Sequence, residues 1–189
     1  MGKTYDEITP KLREFIEAQK MFFVASAPLA GDGLVNLSPK GYDTLRILDE
    51  RRVAYLDLGG SGIETVAHLR ENGRMVMMWC AFDGRPYIVR VHGRGTVHEK
   101  GSSGFAELAH LFPELPGARS IIVLEAQRVS DSCGFAVPRY EYVEDRDTLL
   151  RYAEQLPPEK ARDYRLEHNS RSLDGLPGLS PDFDAPPSQ

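Results

Sequence analysis

Apolar residues recur along the chain with two different periods. Ile8, Leu12, Phe15 and Ile16 fall at helical spacing behind a Thr9-Pro10 pair, which suits an N-cap and a first helical position. From Met21 the period shortens to that of strands. The runs MFFVAS, LVNLS, VAYLDL, RMVMMWCAF, YIVRVHGRGTV and SIIVLEAQRVS follow, separated by turn material such as Ala30-Gly31-Asp32-Gly33 and Asp83-Gly84-Arg85-Pro86. In RMVMMWCAF both faces are apolar: Met75, Met77, Trp79 and Ala81 alternate with Val76, Met78, Cys80 and Phe82. Strands covered on both sides predict a closed barrel with helices or a partner subunit against its outside. The strand YIVRVHGRGTV differs, with Tyr87, Val89, Val91 and Val97 on one face and Arg90, His92, Arg94, Thr96 and His98 on the other. Alternation favours a solvated edge face there over one turned to an anionic ligand or a subunit interface.

A helix is predicted over Ser61–Asn72, where Ile63, Val66, Ala67 and Arg70 share a face with Leu69 beside it. Ser61 and Glu64 match an S-x-x-E capping box, and Asn72-Gly73 supplies the stop. A further helix is expected over Phe105–Leu111. After Ser130 the chain turns polar, with helical stretches at Leu149–Leu156 and Glu159–Glu167 and then NSRSLDGLPGL. The expected organisation is mainly β with peripheral helices: residues 1–130 form the barrel with its N-terminal helix, and 131–189 a helical extension and docking tail of the same domain. Leucines at 173, 176 and 179 predict that Asn169–Leu179 docks on the barrel through an Asp174-Gly175 turn. The residues after Ser180, in SPDFDAPPSQ, are expected to be loose.

Composition narrows the function. A chain of 189 residues with 41% hydrophobic content can bury one core. A net charge of -5 argues against nucleic acid, whose binders normally carry a basic surplus. The 2 cysteines, Cys80 and Cys133, make neither a metal motif nor a disulfide framework. The opening MGKTYDEITPKLREF has no apolar leader stretch, Asp6 breaks the myristoylation pattern, and the run from Met21 to Ala30 is too short to cross a bilayer. The expectation is a cytoplasmic protein without membrane contact.

Candidate chemistry concentrates between Leu34 and Asn72. A Lys40-Gly41 turn leaves one strand, and Gly59-Gly60-Ser61-Gly62 leaves another and leads into a helix. Backbone N–H groups at a helix N-terminus, with a lysine nearby, suit a phosphate-bearing ligand. Capping alone explains the same residues equally well, and Glu64 would repel a phosphate. Elsewhere motifs are incomplete. His98-Glu99 has Ser102 where a zinc motif needs its second histidine, so no metal is expected. Gly93-Arg94-Gly95 lacks the third glycine of a dinucleotide fingerprint, and neither a nucleophile elbow nor a P-loop occurs.

Three elements in order, VNLSPKG, SGIETVAHLREN-Gly73 and Ile88-Val89-Arg90-Val91-His92-Gly93, resemble the pyridoxamine-phosphate-oxidase-like family of FMN-binding split barrels. The resemblance spans Phe22 to Val97 and implies a split β-barrel holding FMN at a homodimer interface. It implies an FMN-dependent oxidoreductase acting on a small molecule; the alternative is a non-catalytic module for flavin, deazaflavin or haem. By the resemblance, Asn36, Leu37, Ser38 and Lys40 line the flavin, and Leu58, Ser61 and Gly62 lie near its ribityl-phosphate. The oxidases' Arg-Lys phosphate clamp falls on Gly62 and Ile63, and their flavin-contacting Gln on Ile88. Lys40 or Arg94 therefore has to supply the missing charge, since a buried phosphate without cations is costly. The oxidases' tryptophan-bearing C-terminal signature is absent, the one tryptophan being Trp79. Oxidation of pyridoxamine phosphate is accordingly not expected, and no catalytic acid or base is identified.

Overall fold

The computed structural model describes residues 2–181. In chain order its elements are β1 (Thr4–Tyr5), α1 (Pro10–Ala18), β2 (Phe22–Ser26), β3 (Asn36–Lys40), β4 (Leu45–Ile47), β5 (Arg52–Leu58) and α2 (Glu64–Asn72). Then follow β6 (Arg74–Cys80), β7 (Ile88–Glu99), α3 (Ser103–Ala109), β8 (Ala118–Ser132), α4 (Thr148–Gln155) and α5 (Pro158–His168). Every run read as β-type contributes a strand. The short β1 and β4 were not legible, because two or three residues carry no usable period.

Antiparallel pairing gives an eight-stranded sheet in the order β3-β2-β6-β7-β8-β5-β4, with β1 attached to β8. Its two ends curl toward each other without sharing backbone hydrogen bonds. The barrel is therefore split rather than closed, and the split lies between β3 and the β4–β5 edge. Side chains bridge it instead: Lys40 of β3 reaches Asp57 of β5, and Asn36 of β3 reaches Thr65 of α2.

The inward positions form the core. Leu12 and Ile16 of α1 lie against Phe22, Val24, Tyr55, Met77, Trp79, Val91 and Leu124, all buried. Burying each such side chain stabilises by about 1.5–3 kcal/mol. The α1 start is as read, with Thr9 Oγ1 accepting from Leu12 N at 3.4 Å. On the outside, α3 covers β5 and β8 through Phe105, Leu108, Leu56 and Ile121. Phe23, Ala25, Val76 and Met78, on the outer face of β2 and β6, stay half-buried. β7 is not an edge strand: it runs through the middle of the sheet between β6 and β8. Its His92, Arg94 and Thr96 are solvated on the outer face.

The capping box does not form. Ile63 is drawn into the core at 1% exposure, so α2 begins at Glu64 with Ile63 as its N-cap and no side-chain cap. The Glu64 carboxylate accepts from Leu173 N at 3.3 Å. The stop is as read, with Gly73 left-handed at φ 70.

The tail docks over its described length. Asn169, Ser172 and Leu179 are buried, and Asp174 accepts from Leu34 N at 3.0 Å. Arg70 of α2 binds the carbonyl of Gly178 and the carboxylate of Glu99. Leu173 turns out to solvent and only Leu179 of the three leucines is buried. The residues expected to be loose lie, from 182 on, outside the described residues.

Gly93 marks a register shift between β7 and β8, and a Cβ there would fall on the backbone carbonyl of Glu125. Backbone cannot swing aside as a side chain can, so Gly93→Ala is expected to destabilise by about 1–3 kcal/mol. Gly31→Ala, where nothing lies within 4 Å, serves as the control. Equal urea midpoints for the two variants would contradict this account of the bulge.

Candidate functional site

Asp57 is the only acid in the apolar run VAYLDL, and the β5 pleat turns it inward to 1% exposure. A buried carboxylate needs charged partners. Asp57 has two: Lys40 Nζ at 2.8 Å from one oxygen, and Arg119 Nε at 2.6 Å from the other. Burial opposes its ionisation, but the Arg119 guanidinium and then the Lys40 ammonium outweigh that effect and lower the Asp57 carboxyl to about 2. Arg119 itself is buried at the start of β8. Its Nη1 donates to Asn169 Oδ1 at 3.0 Å, and Asn169 Nδ2 donates to the Gly60 carbonyl at 2.9 Å. One continuous polar chain thus joins β3, β5, β8, the glycine turn and the tail.

Above this chain, in the split, lies a cavity of about 350 Å³. Asn36, Ser38 and Lys40 come from β3, Leu56 and Leu58 from β5, Thr65 and Glu64 from the start of α2, and Arg119 from β8. Asn36 is held in place by donating to Thr65 Oγ1 at 2.9 Å and accepting from Ser38 Oγ at 3.2 Å. Gly60 lines the cavity, and a Cβ there would meet no protein atom within 4 Å. Backbone is therefore exposed to the cavity at the turn. The arrangement combines cationic groups, hydroxyl and amide hydrogen bonds, and an apolar wall from two leucines. Such a lining can hold a planar ligand bearing an anionic tail.

Of the residues anticipated for this site, Asn36, Ser38, Lys40, Leu58 and Gly62 line the cavity. Leu37 does not: strand alternation puts it on the outer face, 64% exposed. Ser61 is exposed and outside the lining. Arg94 is also displaced. It sits at the C-terminal end of α2, donating to the Asn72 carbonyl, and the cation beside Lys40 is Arg119 instead. Ile88, in the flavin-contacting position of the oxidases, is absent from the lining as well. Asp57, Arg119 and Asn169 were missed. A single charge at an inward position of an apolar strand was the available signal for the first two.

A family model for pyridoxamine 5'-phosphate oxidase matches residues 8–133. The pyridoxamine 5'-phosphate oxidase family protein ustO of Aspergillus flavus is 39% identical over 197 residues, covering 93% of this chain and 77% of that protein. That likeness extends well into the C-terminal extension. Among solved structures, a single-site variant of HupZ from Group A Streptococcus superposes with a TM-score of 0.51 at 17% identity, covering 66% of this chain and 99% of that one. The FAD binding protein from Mycobacterium smegmatis gives a TM-score of 0.50 at 10% identity, covering 69% and 98%. At such identities the structural likeness is one of fold.

Asp57→Asn keeps the size but removes the charge that holds Lys40 and Arg119 together. Breaking a buried pair on one side costs about 3–5 kcal/mol, readable by urea unfolding. The pH dependence has a definite sign. With its folded value near 2, below the ordinary carboxylate value of 3.8, Asp57 contributes its full stability above about pH 4. It loses about 2 kcal/mol as pH falls toward 2. The variant is expected to lack that part of the acid limb; parallel limbs would show that the Asp57 pairs do not carry it.

Proposed function

The chain belongs to the pyridoxamine 5'-phosphate oxidase family, and from that premise we propose that it binds FMN in the split and acts as a flavin-dependent oxidoreductase on a small molecule. The observation carrying this reading is the pair of cations, Lys40 and Arg119, that line one cavity with the glycine turn and an apolar wall. The donor set fits the cofactor. Lys40 and Arg119 would take its phosphate, together with backbone N–H groups of the turn. Ser38 and Asn36 would meet polar ring atoms, and Leu56 and Leu58 the ring face. The positions of the oxidases' Arg-Lys clamp hold Gly62 and the core residue Ile63, so the phosphate would be gripped from β3 and β8 rather than from the helix start. A fold neighbour from Mycobacterium smegmatis is itself described as FAD-binding, in keeping with a flavin in this architecture.

Bound flavin would supply hydride and single-electron chemistry. The protein's part would be to orient it, exclude water from one side and set the charge at its phosphate end. Asp57 sets that charge, since each cation shares its carboxylate. Lys40, Tyr42, Glu64 and Arg119, the acids and bases among the described lining residues, each have a structural partner, so proton transfer by the protein is not assigned. Trp79 is fully buried in the core, which supports leaving pyridoxamine phosphate aside as the substrate.

Purified protein is expected to be yellow, and its colour to bleach with reduced nicotinamide; bleaching by dithionite alone would favour a non-catalytic binding module. Lys40→Ala is expected to weaken FMN binding by about 1.5–3 kcal/mol, measured by fluorescence quenching. Equal affinity in variant and parent would remove Lys40 from the site.

A homodimer is part of the same proposal. Leu37, Ala25 and Val76 lie side by side across β3, β2 and β6, next to Phe23 and Met78, and Val35 and Leu37 are 75% and 64% exposed. Apolar surface of this kind favours a twofold partner. Light scattering at micromolar concentration is expected to report a dimer, and Leu37→Glu to shift it toward monomer. A monomeric parent protein would refute the assembly.

A further inference from the structure

A second cavity, of about 610 Å³, opens beside the first and shares Pro39, Lys40, Gly41 and Tyr42 with it. Its far wall comes from the chain that leaves the sheet after β8. Two contacts hold that segment in place. Tyr140 N donates to the Phe82 carbonyl at 2.9 Å with the two rings 5.6 Å apart, and the Tyr42 hydroxyl donates to the Arg146 carbonyl at 2.5 Å. Four aromatic rings, from Tyr42, Phe82, Tyr140 and Tyr142, therefore line one space. Tyr42 stands between the cavities and has a left-handed backbone at φ 60, which a non-glycine residue adopts only against a steric cost.

The charges around these rings are unequal. Asp83, Glu141, Glu144 and Asp145 line the cavity against Lys20, Arg146 and Lys40, the last of which shares the Asp57 carboxylate with Arg119. The same field is felt at the wall: burial first, then Asp145 and Asp147, hold the Tyr42 hydroxyl above its ordinary value. One cation is already accommodated, with Lys20 Nζ 5.7 Å from the centre of the Tyr142 ring. Aromatic faces attract cations through their quadrupole, and nearby carboxylates add to that attraction. A carboxylate or phosphate ligand would meet the wrong sign.

We propose that this cavity is the substrate site of the protein and that it takes a small organic cation, an amine carried on an aromatic or apolar body. The proposal rests on the flavin reading for the word substrate, and on the cavity alone for the class of ligand. Lys20 is the built-in competitor. It occupies one ring face, so its removal frees both the face and the charge.

Isothermal titration calorimetry of the full chain at neutral pH tests this with three probes of similar shape: 2-phenylethylammonium, 2-phenylethanol and 3-phenylpropanoate. The ammonium probe is expected to bind about tenfold more tightly than the alcohol, with the carboxylate weakest. Tyr140→Ala and Glu144→Gln are expected to weaken the ammonium probe several-fold, and Lys20→Met to tighten it. An alcohol that matches the amine, a carboxylate that exceeds it, or no saturable binding of any probe would overturn the proposal. FMN affinity, measured separately on the same preparations, keeps the two readings apart. Lost amine selectivity with intact FMN binding overturns the cation site alone, whereas amine selectivity without FMN binding upholds the cation site and overturns the flavin reading. With FMN bound, saturating amine is expected to perturb the flavin absorption spectrum; an unchanged spectrum would overturn the assignment as a substrate site.

Discussion

The Asp57 carboxylate, buried between Lys40 and Arg119, is the constraint on which most of this structure turns. A sheet whose two ends do not hydrogen-bond to each other has to be held in its curl by something else. Here two ion pairs converge on one carboxylate, one cation from the β3 end and one from β8 next to β5. Removing such charges from water is costly, and their mutual attraction offsets that cost only when the geometry is good and the remaining donors are satisfied. Arg119 meets that condition through Asn169. The tail therefore completes the network that holds the split, besides covering part of the barrel.

This arrangement explains why the candidate site and the fold cannot be separated. The groups best suited to a phosphate are the same groups that join the sheet ends, and Asp57 leaves the cluster with one surplus positive charge rather than two. The site is thus tuned by a residue that is itself almost inaccessible. The glycine turn is fixed from the other side, with Gly59 N donating to the Gly117 carbonyl at 2.7 Å and the Gly60 carbonyl held by Asn169. Any ligand in the split would rest on a wall braced on three sides.

Much of the fold was legible because strand periodicity reports burial directly. The long runs each became a strand, Gly73 ended α2, and the both-sided apolar character of RMVMMWCAF matched a strand in the interior of the sheet. Of the site residues that the resemblance assigned, Asn36, Ser38 and Lys40 line the cavity from one face of β3, with Leu58 and Gly62 beyond it. Leu37 shows the limit of carrying a resemblance over as a continuous segment, since alternation turns every second residue away. Ser61 and Glu64 show another. A capping motif states a local preference, and burial of Ile63 outweighed it.

The sequence by itself determined the six longer strands, the N-terminal helix, the family and the presence of a lysine at the end of β3. These depend on local periodicity and on short motifs, which act over a few residues. Tertiary structure alone decided which cation stands beside Lys40. Arg94 and Arg119 are equally charged in sequence, but β7 carries Arg94 to the far end of α2 while β8 brings Arg119 beneath the split. It also decided that Asn169, 109 residues from Gly60, would tie the tail to the site. Long-range pairing of this kind depends on how the sheet curls and where its ends meet, which no local pattern of residues encodes.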